Sequence, residues 1–254
     1  MKTALTIAGS DPTGGAGLQA DLRVFSSLGL HGLSIPSALT AQNTRGISMI
    51  MPVEREFFKK QLDTLLEDIR PDAMKTGMLY SVWVVEEVAE RVKAYSLENL
   101  VIDPVTVSSS GTSLIEDNAL DRIREMLFPL STVITPNIYE ASLFTGINIT
   151  DEHDMEAAAI ELKKMGPQAV VITGGHLENL TIDLYYDGIT FQRIEAIKLK
   201  GEYHGTGCAF SAALTAGLAS GASPLQSAKK AKELVTEGIR KAYHPGNGMG
   251  ILNI

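Results

Sequence analysis

The chain is short of several residue types, and each shortage excludes something. It holds one cysteine, Cys208, in 254 residues. A lone thiol closes no internal disulfide, so this is no stapled secreted scaffold. Histidine occurs five times, and no His/Cys/Asp/Glu set has the spacing of a zinc site. Apolar runs are short; none reaches the 18 residues that suggest a membrane-spanning helix. The stretch from Met1 to Ala8 meets Gly9 and Asp11 too soon for the apolar region of a signal peptide. Basic residues are outnumbered, 22 Lys+Arg against 30 Asp+Glu, for a net charge of −8. That balance argues against nucleic acid or an anionic membrane as the main partner. The expectation from these absences is a cytoplasmic protein.

What is present is core-forming material. Hydrophobic residues make up 44% and charged residues 20%, with 23 glycines. This excludes disorder and suits one domain over 1–254. No linker, low-complexity stretch or fixed-period repeat occurs. Short apolar runs at Ala4–Ala8, Ser34–Leu39, Ala73–Met74, Leu100–Ile102, Thr132–Thr135 and Ala169–Thr173 predict strands. Between them, periodic stretches predict helices from about Ala16, then over Glu54–Ile69, Ser81–Tyr95, Leu120–Leu127 and Glu152–Lys164. Ser81 and Ser223 read as N-caps. Thr181–Tyr186 and Ile189–Arg193 around Asp187-Gly188 predict a β-hairpin with a primed turn. Two further helices, Gly207–Ala219 and Ser223–Tyr243, close the chain. The alternation predicts a parallel sheet with helices on both faces, and ligands at the carboxyl ends of its strands.

Unusual residues collect at those ends. Gly9-Ser10-Asp11-Pro12-Thr13-Gly14-Gly15-Ala16-Gly17 lacks the Lys-[Ser/Thr] pair of a phosphate loop and the ribose-binding acid of a dinucleotide fold. It fits either a tight turn or close backbone approach to a small ligand. His204-Gly205-Thr206-Gly207-Cys208 stands before an Ala-rich helix, where free N–H groups and the dipole favour an anion. A first-turn position predicts a lowered thiol pKa for Cys208; a plain core cysteine is the alternative. Asn137 and Glu140 share one face of a first helical turn, as a helix cap or as oxygen donors for Mg²⁺. Gln42 offers an amide donor and acceptor side by side, which matches the N–C–NH₂ edge of an aminopyrimidine; a surface amide is the alternative. Asp21 reads as a solvated helix position.

Six ordered motifs complete the pattern. They are Gly9 through Asp21, Ala38-Leu39-Thr40-Ala41-Gln42-Asn43-Thr44, Lys75-Thr76-Gly77-Met78-Leu79, Asp103-Pro104-Val105, Thr135-Pro136-Asn137-x-x-Glu140-Ala141 and His204 through Cys208. Together they resemble the hydroxymethylpyrimidine/phosphomethylpyrimidine kinases of thiamine biosynthesis, in the ribokinase-like superfamily, over nearly the whole chain. The resemblance implies a three-layer α/β/α fold with a mostly parallel central sheet, and a homodimer. It implies transfer of phosphoryl groups from ATP, with Mg²⁺, to 4-amino-5-hydroxymethyl-2-methylpyrimidine and then to its monophosphate. Gln42 would hold the pyrimidine edge, with Gly9, Met78 and Val105 lining the pocket and Asp21 near it. Gly205, Thr206 and Gly207 would form the anion hole. Cys208 would take the acceptor proton, at the place where ribokinase relatives carry an Asp. Asn137, Thr173, Gly175 and His204 would bind ATP, and Glu140 and Asp103 would hold Mg²⁺. The chain departs from the family where Thr173-Gly174-Gly175-His176 stands for Lys-Gly-Gly-His, where Gly201-Glu202-Tyr203 replaces threonines, and where Thr106 replaces Met. Pyridoxal kinases share the Gly-Thr-Gly-Cys loop and are the nearest alternative; a non-catalytic relative is a more distant one.

Overall fold

A computed structural model describes residues 1–108, 111–116, 118–174 and 181–254. Nine strands form one sheet in the order β3-β2-β1-β4-β5-β6-β7-β8-β9. The strands are β1 (Thr3–Ser10), β2 (His31–Asn43), β3 (Gly46–Pro52), β4 (Ala73–Thr76), β5 (Leu100–Ile102), β6 (Val133–Ile134), β7 (Ala169–Thr173), β8 (Thr181–Tyr186) and β9 (Phe191–Ala196). From β2 through β7 all pairings are parallel. Antiparallel β3 flanks one edge and the β8–β9 hairpin the other. The expected mostly parallel α/β architecture is therefore present.

Alternation along the strands sorts the core into two layers. Leu5, Ile7, Met74, Leu100, Ile102, Ile134, Val170 and Ile172 face one side. There they meet α2 (Arg55–Asp68), α3 (Val82–Ala94), α5 (Ile138–Thr145) and α6 (Glu152–Lys164). Ala4, Ala73, Val101, Val133, Ala169 and Val171 face the other side. These smaller side chains admit α7 (Thr206–Ala219), with α1 (Gly17–Ser27) and α8 (Pro224–Arg240) beside it. Helix α7 is buried along nearly its whole length because Ala209, Ala212, Ala213 and Ala216 let it lie close to the sheet. The short α4 (Ala119–Arg122) runs into a π turn at Ile123–Leu127, ahead of Pro129.

Three local expectations change. The β8–β9 connection is four residues, 187–190, rather than a two-residue primed turn. Asp187 Oδ1 accepts N–H bonds from Ile189 and Thr190 at 2.9 and 2.8 Å, and stacked Tyr186 and Phe191 close the loop. Ser81 precedes α3 but makes no side-chain cap bond, whereas Ser223 forms a full capping box with Gln226. Gly46–Pro52, for which the pattern predicts no element, pairs as the edge strand β3. Its apolar residues fall on both faces, so period-two polarity is lost. A further small pair, β10 (Tyr203–His204) and β11 (Gly250–Ile251), ties the loop before α7 to the C-terminal segment.

Candidate active site

All six motifs reach the carboxyl end of the parallel strands. The first loop leaves β1 at Ser10 and is organised by Asp11. Asp11 Oδ1 accepts the Thr13 N–H, and Oδ2 accepts the Thr13 hydroxyl and the Ala16 N–H, each at 2.9 Å. Burial pushes this carboxyl up, but bonds from His204, Thr13 and Ala16 outweigh it and hold Asp11 below the usual carboxylate range. Two glycines permit close backbone approach, Gly17 within the first loop and Gly205 between the first and last loops. Gly17 has φ +59°, and a Cβ there would lie 2.3 Å from the Gly9 oxygen. Gly205 has φ +79°, and a Cβ there would lie 1.9 Å from the Gly15 oxygen. The first and last motifs are thus packed backbone to backbone, a contact that only glycine permits.

Gln42 projects from the end of β2 toward this junction. Its side-chain amide lies 2.9 Å from His204 Nε2, which lies 3.0 Å from Asp11 Oδ2. A carboxylate only accepts, so His204 Nε2 carries the proton. Gln42 Oε1 accepts the Thr40 hydroxyl at 3.1 Å, a hydroxyl that also lies 2.9 Å from the Ser10 carbonyl. Gln42 is accordingly a pocket amide rather than a surface one. It lines a small cavity with Asn43, Thr44, Ser108, His204 and Met249. The structure sets His204, expected at the nucleotide, against Gln42, expected at the ring edge. Gly9, Met78 and Val105 also come together: a Cβ on Gly9 would meet Met78 Sδ at 2.9 Å, and Val105 packs on the cluster of Ala38, Met78 and Leu114.

Behind the loops lies a buried charge cluster. Lys75, fully buried on β4, is 2.8 Å from Asp21 Oδ1 and 3.9 Å from Asp103 Oδ2. Asp21 Oδ2 takes the Thr6 hydroxyl at 2.6 Å, and Asp103 Oδ2 takes the Ser211 hydroxyl at 2.8 Å. Asp21 is therefore not on a solvated face. Both its oxygens are engaged at zero exposure, so it acts on the site through Lys75 rather than by touching a ligand. The signal against a solvated face is its spacing from Leu18 and Phe25, three and four residues, which puts it on their buried stripe. Burial pushes Asp21 and Asp103 up, against the pull of Lys75. Lys75 keeps its charge because Asp21, Cys208 and Asp103 outweigh its own desolvation.

Cys208 sits in the first turn of α7. No side chain caps this helix, whose N-cap is Gly205, so its leading N–H groups are left for a ligand. A Cβ on Gly207 would meet only open space, so packing does not demand glycine there. The expected fall in the thiol pKa is overturned. Burial, with Asp103 and Asp21 adding to it, outweighs Lys75 and the Gly17 N–H and pushes Cys208 up to about 12. The unliganded thiol is protonated at neutral pH.

On the other side of Asp103, Asn137 and Glu140 form a capping box. Asn137 Oδ1 accepts the Glu140 N–H and Glu140 Oε2 accepts the Asn137 N–H, both at 2.9 Å. The capping reading is correct, yet it leaves one feature over. Glu140 is buried, also accepts the Thr106 N–H at 3.3 Å, and is pushed up to about 8 by burial and then by the Asp103 charge. Two neighbouring carboxyls that resist ionisation are suited to a hard dication, which takes oxygen donors and keeps its waters. Among the described residues no group of three or more His, Cys, Asp or Glu could hold a metal ion. Thr173 ends β7 and bridges to Asn137, while the Gly174 N–H is held by Asp183 Oδ1 at 3.0 Å and Asp183 pairs with Lys232 at 2.8 Å. Gly175 and His176 lie outside the described residues, as do Ser109 and Ser110 of the stretch Ser108–Gly111.

Sequence reasoning did not single out Asp11, Ser211, or the pair of Asp183 and Lys232 as working parts. The signal for Asp183 was a lone charge inside an apolar strand; the other three pairings link residues far apart in sequence.

The family model described as phosphomethylpyrimidine kinase matches residues 11–253. The hydroxymethylpyrimidine/phosphomethylpyrimidine kinase of Bacillus subtilis is 43% identical over 253 residues, 98% of this chain and 93% of that protein. The thiamine biosynthesis bifunctional protein ThiED of Geobacter sulfurreducens is also 43% identical, with 98% of this chain matching 51% of the longer protein. Among solved structures, an ADP complex of Bacillus subtilis pyridoxal kinase superposes with a TM-score of 0.92 at 38% identity, covering 100% of this chain and 97% of that one. Pyridoxal kinase of Staphylococcus aureus with AMP-PCP and pyridoxal gives 0.91 at 35% identity, covering 99% and 93%.

Proposed function

The chain belongs to the phosphomethylpyrimidine kinase family, and on that premise we propose that it phosphorylates 4-amino-5-hydroxymethyl-2-methylpyrimidine and then the resulting monophosphate, with ATP and Mg²⁺. It is a phosphotransferase of thiamine biosynthesis. The observation that carries the substrate assignment is Gln42, an amide that lines a small cavity and contacts His204, next to the Gly205 N-cap of α7.

Phosphoryl transfer needs alignment and charge neutralisation more than covalent chemistry. Gln42 grips the ring edge while Gly9, Met78 and Val105 exclude water. That holds the hydroxymethyl oxygen toward Cys208. The N–H groups of Gly205–Gly207 and the α7 dipole receive phosphoryl oxygens. Asn137, Thr173 and Gly175 take the nucleotide. Glu140 and Asp103 would hold Mg²⁺, which supplies positive charge to the phosphates when bound. Cys208 receives the acceptor proton late, as the oxygen–phosphorus bond forms and the alcohol becomes acidic. A thiol resting near 12 does this only when Lys75 and the filled site favour its thiolate. Homodimer formation belongs to the same reading; Leu39, Met49 and Met51 of the β2–β3 edge supply exposed apolar surface for it.

Mass spectrometry of products from ATP, Mg²⁺ and the aminopyrimidine alcohol is the test. Mono- and diphosphate support the assignment, and absence of both removes it. A second reading, pyridoxal kinase, is favoured by the 0.92 superposition on such an enzyme. Parallel turnover of pyridoxal separates the two.

A further inference from the structure

We propose that Asp183 and Lys232 are positioning residues for the nucleotide: this buried pair fixes the Thr173–Gly174 peptide and so sets the nucleotide-facing end of β7. The proposal rests on the reading that Thr173 and Asn137 take the nucleotide. Stability alone does not account for the pair. Two charges taken out of water gain little over an apolar pair of similar size. Yet Asp183 interrupts the apolar run of β8, and Lys232 reaches from α8 to meet it at 2.8 Å. Both are buried. The antiparallel pairing of β7 with β8 ends at Thr173, opposite Asp183. The next N–H, on buried Gly174, lies past that ladder and would be costly to leave unpaired. Asp183 Oδ1 accepts it at 3.0 Å.

The consequence follows from planarity. A peptide holds its N–H and the preceding C=O rigidly opposed, so fixing the Gly174 N–H also aims the Thr173 carbonyl. On its other side the Thr173 N–H donates to the Pro136 carbonyl at 3.0 Å, and Thr173 bridges to Asn137. A Cβ on Gly174 would lie 1.7 Å from the Ile182 oxygen, so β8 is pressed directly against this peptide. Lys232 secures the acceptor: burial raises the Asp183 carboxyl, and the ammonium pulls the other way. Without Asp183 the peptide turns to find another partner. Only a fraction of molecules then presents this strand end correctly, and nucleotide affinity falls by that fraction.

The test compares two double variants that both lack the charges. Asp183→Asn/Lys232→Met keeps an oxygen for the Gly174 N–H, and Asp183→Leu/Lys232→Met does not. Steady-state kinetics give KM for ATP and for the aminopyrimidine alcohol, calorimetry gives Kd for ADP, and denaturant melts check the fold. The expected result for the Asp183→Leu double is a rise of about tenfold in KM for ATP and Kd for ADP, with the pyrimidine KM within about twofold. The Asp183→Asn double stays within about threefold of the wild type in all three. Equal nucleotide constants in the two doubles, or a matching rise in the pyrimidine KM, overturn the proposal and leave the pair a structural one. If the doubles do not fold, a crystal structure of the wild type with ADP decides. The Asp183–Gly174 bond must persist with the nucleotide against Thr173; a broken bond, or a nucleotide seated away from Thr173, overturns the proposal. A wild type that binds no ADP overturns the nucleotide assignment itself, and the positioning role with it.

Discussion

The two halves of the strand-end site are built on opposite charge plans. Around Gln42 the loops of β1, β2 and α7 satisfy one another: Asp11, Thr13, Thr40, Gln42 and His204 all have partners within 3.1 Å. Around Asp103 and Glu140, burial crowds carboxyls whose protons are held above their ordinary range. In the proposed reading the half around Gln42 is the acceptor half, and its polar groups are paired before a ring arrives. The donor half is in electrostatic debt until cations arrive, so it waits on nucleotide and metal. Cys208 and Lys75 are linked to each other and to Asp103 by electrostatic interaction.

Breaking that link gives the largest effect. Cys208→Ala lowers kcat by about 100- to 10,000-fold while the pyrimidine KM stays within about twofold, measured by steady-state kinetics. The sign of the pH dependence follows from burial. A thiol pushed to about 12 in the unliganded enzyme gains thiolate steadily above neutrality, so wild-type kcat/KM rises between about pH 7 and 9. The alanine variant has no such limb; near-normal turnover in it removes the base assignment.

Lys75→Met attacks the same link at its cation. It leaves Asp21 and Asp103 buried without their cation, at a cost of about 3–5 kcal/mol in unfolding free energy. Denaturant melts measure it. Asp21→Asn and Lys75→Met combined lose less than the sum, because each single change strands the other's charge.

The third prediction isolates the donor half. The Glu140 carboxyl rises from 4.5 unfolded to about 8 folded. Across that window the native state holds a proton that the unfolded chain has released. Stability is therefore greatest below pH 4.5 as far as this group is concerned, and falls as pH rises toward 8. Glu140→Gln removes about 2–4 kcal/mol of that fall. Melts at the two ends of the window compare the slopes, and Mg²⁺ recovers part of the loss at the upper end in the wild type only.

Much of the layer order was readable because period two in strands and period near four in helices survive burial on one face. Leu100–Ile102, Glu152–Lys164 and Ala169–Thr173 have their predicted ends. β3 was not readable, since an exposed edge places Met49 and Ile50 on opposite faces with no polar alternation. At the site, motif order brought the right loops together, but spacing carries no electrostatics. The dipole favours a thiolate at Cys208, but burial, the larger effect, and then the charges of Asp103 and Asp21 outweigh it. The union of Asp11, Gln42 and His204 joins three distant segments, and only the folded chain sets them within hydrogen-bond reach.

The smallest expected effect tests whether the donor half is short of charge by design of this chain. Thr173 stands at the end of β7, bridged to Asn137, where the resemblance places a lysine. A lysine there faces nucleotide phosphate with one charge-assisted contact in partial solvent, worth about 1 kcal/mol, or about fivefold in KM for ATP. Thr173→Lys should lower that KM and leave the pyrimidine KM unchanged, since the acceptor half already has its partners. The gain should shrink with added salt, as a half-exposed contact does. An unchanged KM for ATP means that the phosphates are neutralised without this position. In that case the excess carboxyl charge at Asp103 and Glu140 serves the metal alone.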